Sequence, residues 1–275
     1  MSFIKRNIPN AITCGNLLCG CLAIVKAFEG DLVWAAYLVG IAAVLDFFDG
    51  FAARLLKVSS PIGKDLDSLA DMVTFGVVPG VVMFQMLRFS ILGGLTFFEI
   101  KPSTPYLNFI PYIAFIIPIF SAIRLAKFNN DTRQSDSFIG VPTPANAILI
   151  CSLTFNALYV YSVDQPISDD LTIRSSANSV LLGSFTESFF MKYILNKYSL
   201  ITLTLIMSFL LVAELPLIAL KFKNFKWKGN EIRFIFLGGA VVLLATLQLV
   251  GIPLVIVFYI LISIINNLLN KKKTT

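Results

Sequence analysis

Apolar stretches of about twenty residues, separated by short clusters of Gly, Pro, Ser and charge, repeat along most of the chain. A helix rising 1.5 Å per residue needs about that length to cross some 30 Å of hydrocarbon. Eight spans are predicted, near residues 10–28, 31–56, 61–88, 107–128, 143–161, 199–220, 233–249 and 252–268. Only Val250 and Gly251 divide the last two before Pro253. Backbone polar groups in lipid must be satisfied within their own segment, so the expectation is an all-α polytopic membrane bundle. Residues 1–222 would hold six helices and a polar outer loop at 162–198. Residues 223–275 would hold the last two helices and a basic tail.

Composition agrees with this pattern. The chain is 57% hydrophobic and 14% charged, with a mean hydropathy of +0.82, far from soluble domains in which about a quarter of residues are charged. Ser59, Ser60 and Pro61 form a start signal for the third span, with Ser as N-cap and Pro at the first helical position. The outer loop carries Asp164, Asp169, Asp170 and Glu187 and reads as a solvated connector. No His is present, which excludes His-based triads, a His general base and His-containing zinc sites. Cys14, Cys19, Cys21 and Cys151 fall in predicted spans and are expected to be buried, reduced thiols.

Charge orients the bundle. Sixteen Lys and Arg, including Lys5, Arg6, Arg54, Lys57, Lys64, Arg124, Lys127, Arg133 and Lys271 to Lys273, fall on one face, against Arg88, Lys101, Arg174, Lys192 and Lys197 on the other. This bias predicts an inner-membrane, multi-pass protein with both termini in the cytoplasm. Lys26 is expected to snorkel to the outer interface. The apolar stretch after Met1 to Asn7 runs on as a span without a small-residue cleavage site, so the head reads as a basic collar on the inner leaflet. The net charge of +6 suits an anionic membrane surface and gives no sign of a nucleic-acid groove.

Against this background, Asp46, Asp49, Asp67 and Asp71 lie within twenty-six residues. An unpaired Asp at mid-bilayer costs about 2.5–3.5 kcal/mol on insertion scales, so four together call for a shared partner. Asp46, Asp49, Gly50 and Ala53 recur on one face of the second span, and Gly63, Asp67 and Asp71 on one face of the third. The short connection at 57–60 makes these helices antiparallel neighbours. Their stripes can form a cage of hard oxygen ligands for divalent cations, wide enough for two, with the small residues leaving room for a bulky ligand. Asp65 lies off the stripe and reads as an interfacial carboxylate paired with a nearby Lys or Arg.

The pattern Asp46-x2-Asp49-Gly50-x2-Ala53-Arg54-x8-Gly63-x3-Asp67-x3-Asp71 resembles the signature of the CDP-alcohol phosphatidyltransferase family. That resemblance implies transfer of a phosphatidyl group from a CDP-lipid to an alcohol with release of CMP. By the same likeness, the four Asp would hold Mg2+ or Mn2+ against the pyrophosphate, with Asp71 as general base. Gly50, Ala53 and Gly63 would admit the nucleotide, and Arg54 and Ser60 would contact phosphate. Asn10 and Thr13, near the cytoplasmic start of the first span, are further candidates for nucleotide contact. The resemblance also implies a homodimer.

Two more stretches are similar to the phosphatidylserine synthases of that family: Pro9 to Leu17, and Arg124 to Asn129 followed by Gly140 to Ala145. This implies CDP-diacylglycerol and L-serine as substrates. Serine needs a cationic or hydrogen-bond-donating partner for its carboxylate, for which Arg124, Lys127 and Asn129 are candidates. Glycerol 3-phosphate or inositol phosphate as acceptor would require additional cations. A divalent-cation transporter built on the same carboxylates is the alternative from another class. Asn16 reads as a helix-packing polar group, and Glu214 as a partner for Lys221.

Overall fold

The computed structural model describes residues 3–58, 60–92, 109–130, 138–161, 193–218, 227 and 230–271. Most of the predicted outer loop lies outside these residues with its four acidic side chains. So do Ser59, Lys101, Arg133, Arg174, Lys192, Lys221, Lys223, Lys226, Lys228, Lys272 and Lys273.

The protein is a polytopic helical membrane protein. In chain order the helices are α1 (Phe3–Phe28), α2 (Leu32–Leu56), α3 (Pro61–Asp71), α4 (Val78–Leu92), α5 (Ile116–Asn130), α6 (Thr143–Tyr161), α7 (Lys197–Val212), α8 (Glu231–Leu247) and α9 (Ile252–Lys271). Five helical stretches are long and apolar enough to span a bilayer, and the last, Glu231–Leu269, is the α8–α9 hairpin. Thr143–Phe155 and Lys197–Val212 are shorter apolar helices. Counting the hairpin as two rods, these make the eight that the hydropathy pattern predicts.

Several boundaries differ from the sequence expectation. The third span is interrupted by a π-helical turn, Met72–Val77, where the Val78 N–H reaches back to Val73 O. The α4 segment then continues past 88 to Leu92. The fourth span contains a 3-10 turn, Ile110–Phe115, ahead of α5, and its expected start at 107 lies outside the described residues. Gln248–Gly251 forms a tight turn after α8, with Gln248 at φ 52°. The sixth span does not reach 220. Its helix ends at Val212, and Pro216–Leu217 is extended, because a residue preceding Pro is pushed out of the helical region.

That extended segment lies where helix was expected, and its backbone is satisfied from two sides. Phe138–Ile139 pairs with it antiparallel, Phe138 opposite Leu217. From α9, Tyr259 Oη donates to Ile218 O at 2.9 Å, Asn267 Nδ2 donates to Pro216 O at 2.5 Å, and Ser263 Oγ accepts from Ile218 N at 3.3 Å. Irregular backbone at membrane depth is tolerated when protein covers it in this way.

Around α1 the bundle is tightest. A Cβ placed on Gly20 would come within 2.4 Å of Thr74 Oγ1, in the π-turn. The Thr74 hydroxyl donates to Asn16 O at 3.2 Å. Near the C-terminal end of α1, Gln85 Nε2 donates to Ala27 O at 2.9 Å, and Thr154 Oγ1 lies 2.7 Å from Cys151 O and 3.2 Å from Leu32 O. Lys26, expected to snorkel to an interface, forms an ion pair with Glu29 at 2.6 Å. All four cysteines are free, but Cys151 alone is fully buried, while Cys14 and Cys21 are exposed on α1.

Gly140 joins α5, α6 and α7. It sits at φ +75°, its N–H donates to Leu215 O at 2.9 Å, and the next N–H, of Val141, donates to Leu210 O at 3.0 Å. A Cβ there would lie 2.6 Å from Leu211 O. Left-handed strain and a backbone clash therefore act together, and Gly140→Ala is expected to destabilise by at least about 2 kcal/mol. Thermal unfolding in detergent, followed by circular dichroism, measures the loss.

Candidate functional site

Two helices and a tight turn carry the carboxylates. After α2, Lys57 adopts the left-handed conformation at φ 52°, and the Val58 N–H returns to Ala53 O at 3.0 Å, closing the helix sharply. Ser60 then caps α3, its Oγ accepting from Gly63 N at 3.0 Å, with Pro61 in the first turn. The reversal is short enough to set Asp46 and Asp49 of α2 against Asp67 and Asp71 of α3.

One carboxylate oxygen from each of Asp46, Asp49 and Asp67 lies within 4.8 Å of the others. Around an octahedral ion with bonds of 2.0–2.1 Å, ligand oxygens are about 2.9–4.2 Å apart, so small side-chain adjustments close this trio on a cation. The donors are all hard oxygens, and no described Lys or Arg forms an ion pair with them. The set fits a divalent metal ion of the Mg2+, Mn2+ or Ca2+ type. Asp71 lies outside the trio, one turn further along α3, in side-chain contact with Asp46.

From α1, Thr13 Oγ1 lies 2.7 Å from Asp49 Oδ2 and 3.0 Å from Pro9 O, so its single proton goes to the carboxylate or back to its own helix. Asn16 Nδ2 donates to Asp71 Oδ1 at 3.4 Å, while Asn16 Oδ1 is buried without a partner. Sequence reading took Asn16 for a packing group. Its three-residue offset from Thr13, placing both on one helical face, was the available signal.

Beside the trio opens a cavity of about 270 Å³, lined by Pro9, Asn10, Thr13, Asp49, Gly50, Ala53, Val58, Ser60, Gly63, Lys64 and Asp67. It gathers six of the seven residues that the sequence suggested for nucleotide and phosphate contact. The seventh, Arg54, is exposed on α2, with its Nε donating to Gly50 O at 3.0 Å. Lys64 was missed because its charge was assigned to topology alone. Its Nζ donates to Asn129 O at 3.1 Å at the cavity edge.

The two glycines of this cavity have different physical causes. A Cβ on Gly63 would meet Asn10 Oδ1 and Ser60 Oγ, each at 3.0 Å, so close packing between α1 and α3 accounts for it. A Cβ on Gly50 would meet nothing within 4 Å. No protein atom uses the space that Gly50 leaves beside the carboxylates.

The acceptor candidates separate. Arg124 is 5% exposed, donates from Nε to Val141 O at 2.6 Å, packs over the Phe128 ring at 5.4 Å and interacts electrostatically with Asp71. Lys127 is exposed on the outside of α5. Asn129 Nδ2 donates to Ser68 Oγ at 2.8 Å, tying α5 to α3. Asp65 is exposed and, contrary to expectation, forms no ion pair among the described residues.

This geometry predicts that Mn2+ binds the detergent-solubilised protein. Asp49→Asn or Asp67→Asn should weaken binding at least about tenfold, whereas Asp65→Asn leaves it unchanged, as read by Mn2+ electron paramagnetic resonance. Gly50→Ala should raise stability by about 0.5–1 kcal/mol, since it improves a helix interior without a clash. Thermal unfolding measures that gain.

Residues 6–269 match the family model for CDP-alcohol phosphatidyltransferase. The chain is 34% identical over 153 residues to the CDP-diacylglycerol–serine O-phosphatidyltransferase of Bacillus subtilis, covering 55% of this chain and 78% of that protein. It is 37% identical over 144 residues to the enzyme of the same name from Helicobacter pylori, covering 52% of this chain and 54% of the relative. The archaetidylserine synthase of Methanothermobacter thermautotrophicus is 27% identical over 161 residues, 58% of this chain and 61% of its own length.

Proposed function

Since the chain belongs to the CDP-alcohol phosphatidyltransferase family, we propose that it transfers the phosphatidyl group of CDP-diacylglycerol to L-serine, giving phosphatidylserine and CMP. The observation that carries the reading is the carboxylate trio beside a cavity with unused space at Gly50. The names of the Bacillus and Helicobacter relatives support serine as the acceptor.

The residues divide the work as follows. Asp46, Asp49, Asp67 and Asp71 hold Mg2+ or Mn2+, in a set large enough for two ions. When bound, such ions neutralise charge on the pyrophosphate and orient it for in-line displacement. Ser60, Asn10 and Lys64 line the mouth of the cavity and receive the nucleotide, while Gly50 and Ala53 let it lie against α2. Arg54, one turn beyond Gly50, swings from its own helix to phosphate. The serine hydroxyl oxygen forms a bond to the phosphatidyl phosphorus as the bond from that phosphorus to the CMP oxygen breaks. The hydroxyl proton passes to Asp71, which Asn16 holds in place.

The setting follows from charge and aromatic placement. Trp34, Tyr37, Tyr112 and Tyr198 are exposed near the ends of α2, α5 and α7 opposite the carboxylates, as interfacial aromatic rings are. These rings mark an interface at that end, and the Lys and Arg bias supports both termini and the site on the cytosolic side of the inner membrane. The lipid tails of the donor enter from the bilayer. The segment 1–222 acts as the catalytic bundle, 223–275 adds the α8–α9 pair and basic tail, and two copies form the working dimer.

A panel of acceptors with labelled CDP-diacylglycerol tests the reading. CMP release should require both a divalent cation and L-serine, with glycerol 3-phosphate and inositol phosphate inactive. Asp67→Asn should lower turnover by at least about a thousandfold. Absence of serine-dependent CMP release from the wild type would overturn serine as acceptor, and metal flux without CDP-lipid turnover would overturn the transferase itself.

A further inference from the structure

Among the described residues, Asn146 leaves both polar ends of its side chain without a hydrogen bond, although it is 0% exposed. Ser121 and Ser208, equally buried, have hydroxyls without partners. Burying such groups unpaired is unfavourable by about 1–3 kcal/mol each, so their persistence asks for a ligand or water. They come from three different helices, α5, α6 and α7, which pack against one another.

All three lie within about one helical turn of a single junction. Ser121 and Arg124 share the buried stripe of α5, and Arg124 donates to Val141 O while Val141 N donates to Leu210 O. Asn146 is in the first turn of α6, five residues after Val141, on the buried stripe of Thr143, Asn146, Ala147 and Ile150. Ser208 lies on the buried stripe of α7 with Met207 and Leu211, next to Leu210. The junction adjoins the carboxylates. Ser121 packs against Gly76 of the π-turn that follows Asp71, where a Cβ on Gly76 would come within 3.2 Å of Ser121 Cβ, and Arg124 interacts with Asp71 itself.

The unspent groups have a specific chemistry. Arg124 has used Nε, and its terminal nitrogens make no hydrogen bond among the described residues. They form a planar pair of donors suited to a carboxylate. The Asn146 amide offers an acceptor for an ammonium group and a donor for a carboxylate, and the two hydroxyls can serve either. A single cation with a neutral amide matches a zwitterion. It does not match a second phosphate, which needs more positive charge, or a quaternary ammonium, which needs an aromatic cage.

We propose that Arg124, Asn146, Ser121 and Ser208 form the recess that binds the amino and carboxylate groups of a small hydroxy amino acid and presents its hydroxyl toward Asp71. The proposal rests on the transferase reading above and adds three acceptor residues to it. It also separates them from Lys127, on the outside of α5, and Asn129, whose amide is engaged with Ser68.

The test uses Asn146→Leu, close to Asn in shape and free of unpaired polar atoms. A purely structural role for Asn146 predicts a variant of equal or higher thermal midpoint with unchanged kinetics. The recess predicts the same or higher midpoint, a KM for L-serine raised at least tenfold, and a KM for CDP-diacylglycerol within twofold of wild type. Should Asn146→Leu not fold, Ser121→Ala carries the same readout, with a rise of at least threefold. On the wild type, ethanolamine and 3-hydroxypropionate, each lacking one charged group of serine, should have kcat/KM at least a hundredfold below L-serine. An unchanged serine KM in the folded variant, or equal use of either analogue, overturns the recess. A wild type that turns over CDP-lipid with no amino acid at all overturns the serine reading instead, so the two failures are distinct.

Discussion

Carboxylates held close together among membrane helices must be compensated, and the end of this bundle that holds them is arranged around that requirement. Asp49 is buried and Asp46 and Asp67 are half-buried, and no described Lys or Arg pairs with this trio. The compensation comes from polar groups of α1, with Thr13 on Asp49 and Asn16 on Asp71, and from whatever cation enters the trio. This explains why α1 approaches so closely. Gly20 lets it lie on the π-turn at Thr74, and Gly63 lets α3 lie on Asn10, so the two halves of the acidic site are clamped by one helix.

Sequence exposed most of this, and the parts it hid have physical reasons. Hydropathy located all eight rods, because a bilayer demands a long apolar run from each. The helical repeat put Asp46 with Asp49 and Asp67 with Asp71 on matching faces, because the turn after Lys57 is short. The π-turn at Met72–Val77 was overlooked although Gly76 lies within it and Pro79, which donates no backbone N–H, follows just after it. The early end of α7 was written in Glu214 and Pro216, but the apolar residues around them masked it. Asn146 was overlooked for a similar reason: a lone Asn in an apolar helix reads as a packing group until its partners are counted.

Two kinds of small or polar residue thus gain meaning from what they do not touch. Gly63 is fixed by neighbouring atoms of the described residues and Gly50 by none, so packing explains the first and leaves open space beside the second. Thr74, Thr204 and Ser152 are buried and hydrogen-bonded, as a folded interior requires. Among the described residues, Asn16 Oδ1, Gln85 Oε1, Asn146, Ser121 and Ser208 depart from that rule.

The short α7 also acts on the membrane. Its sixteen residues rise about 24 Å, against about 30 Å of hydrocarbon. Its C-terminal end is covered by the Phe138–Ile139 strand and by α9, so the shortfall there is filled by protein. Where the exposed face of α7 (Leu205, Ile206 and Phe209) borders lipid, the mismatch would favour shorter acyl chains on that side of the bundle, by fractions of a kcal/mol per Å.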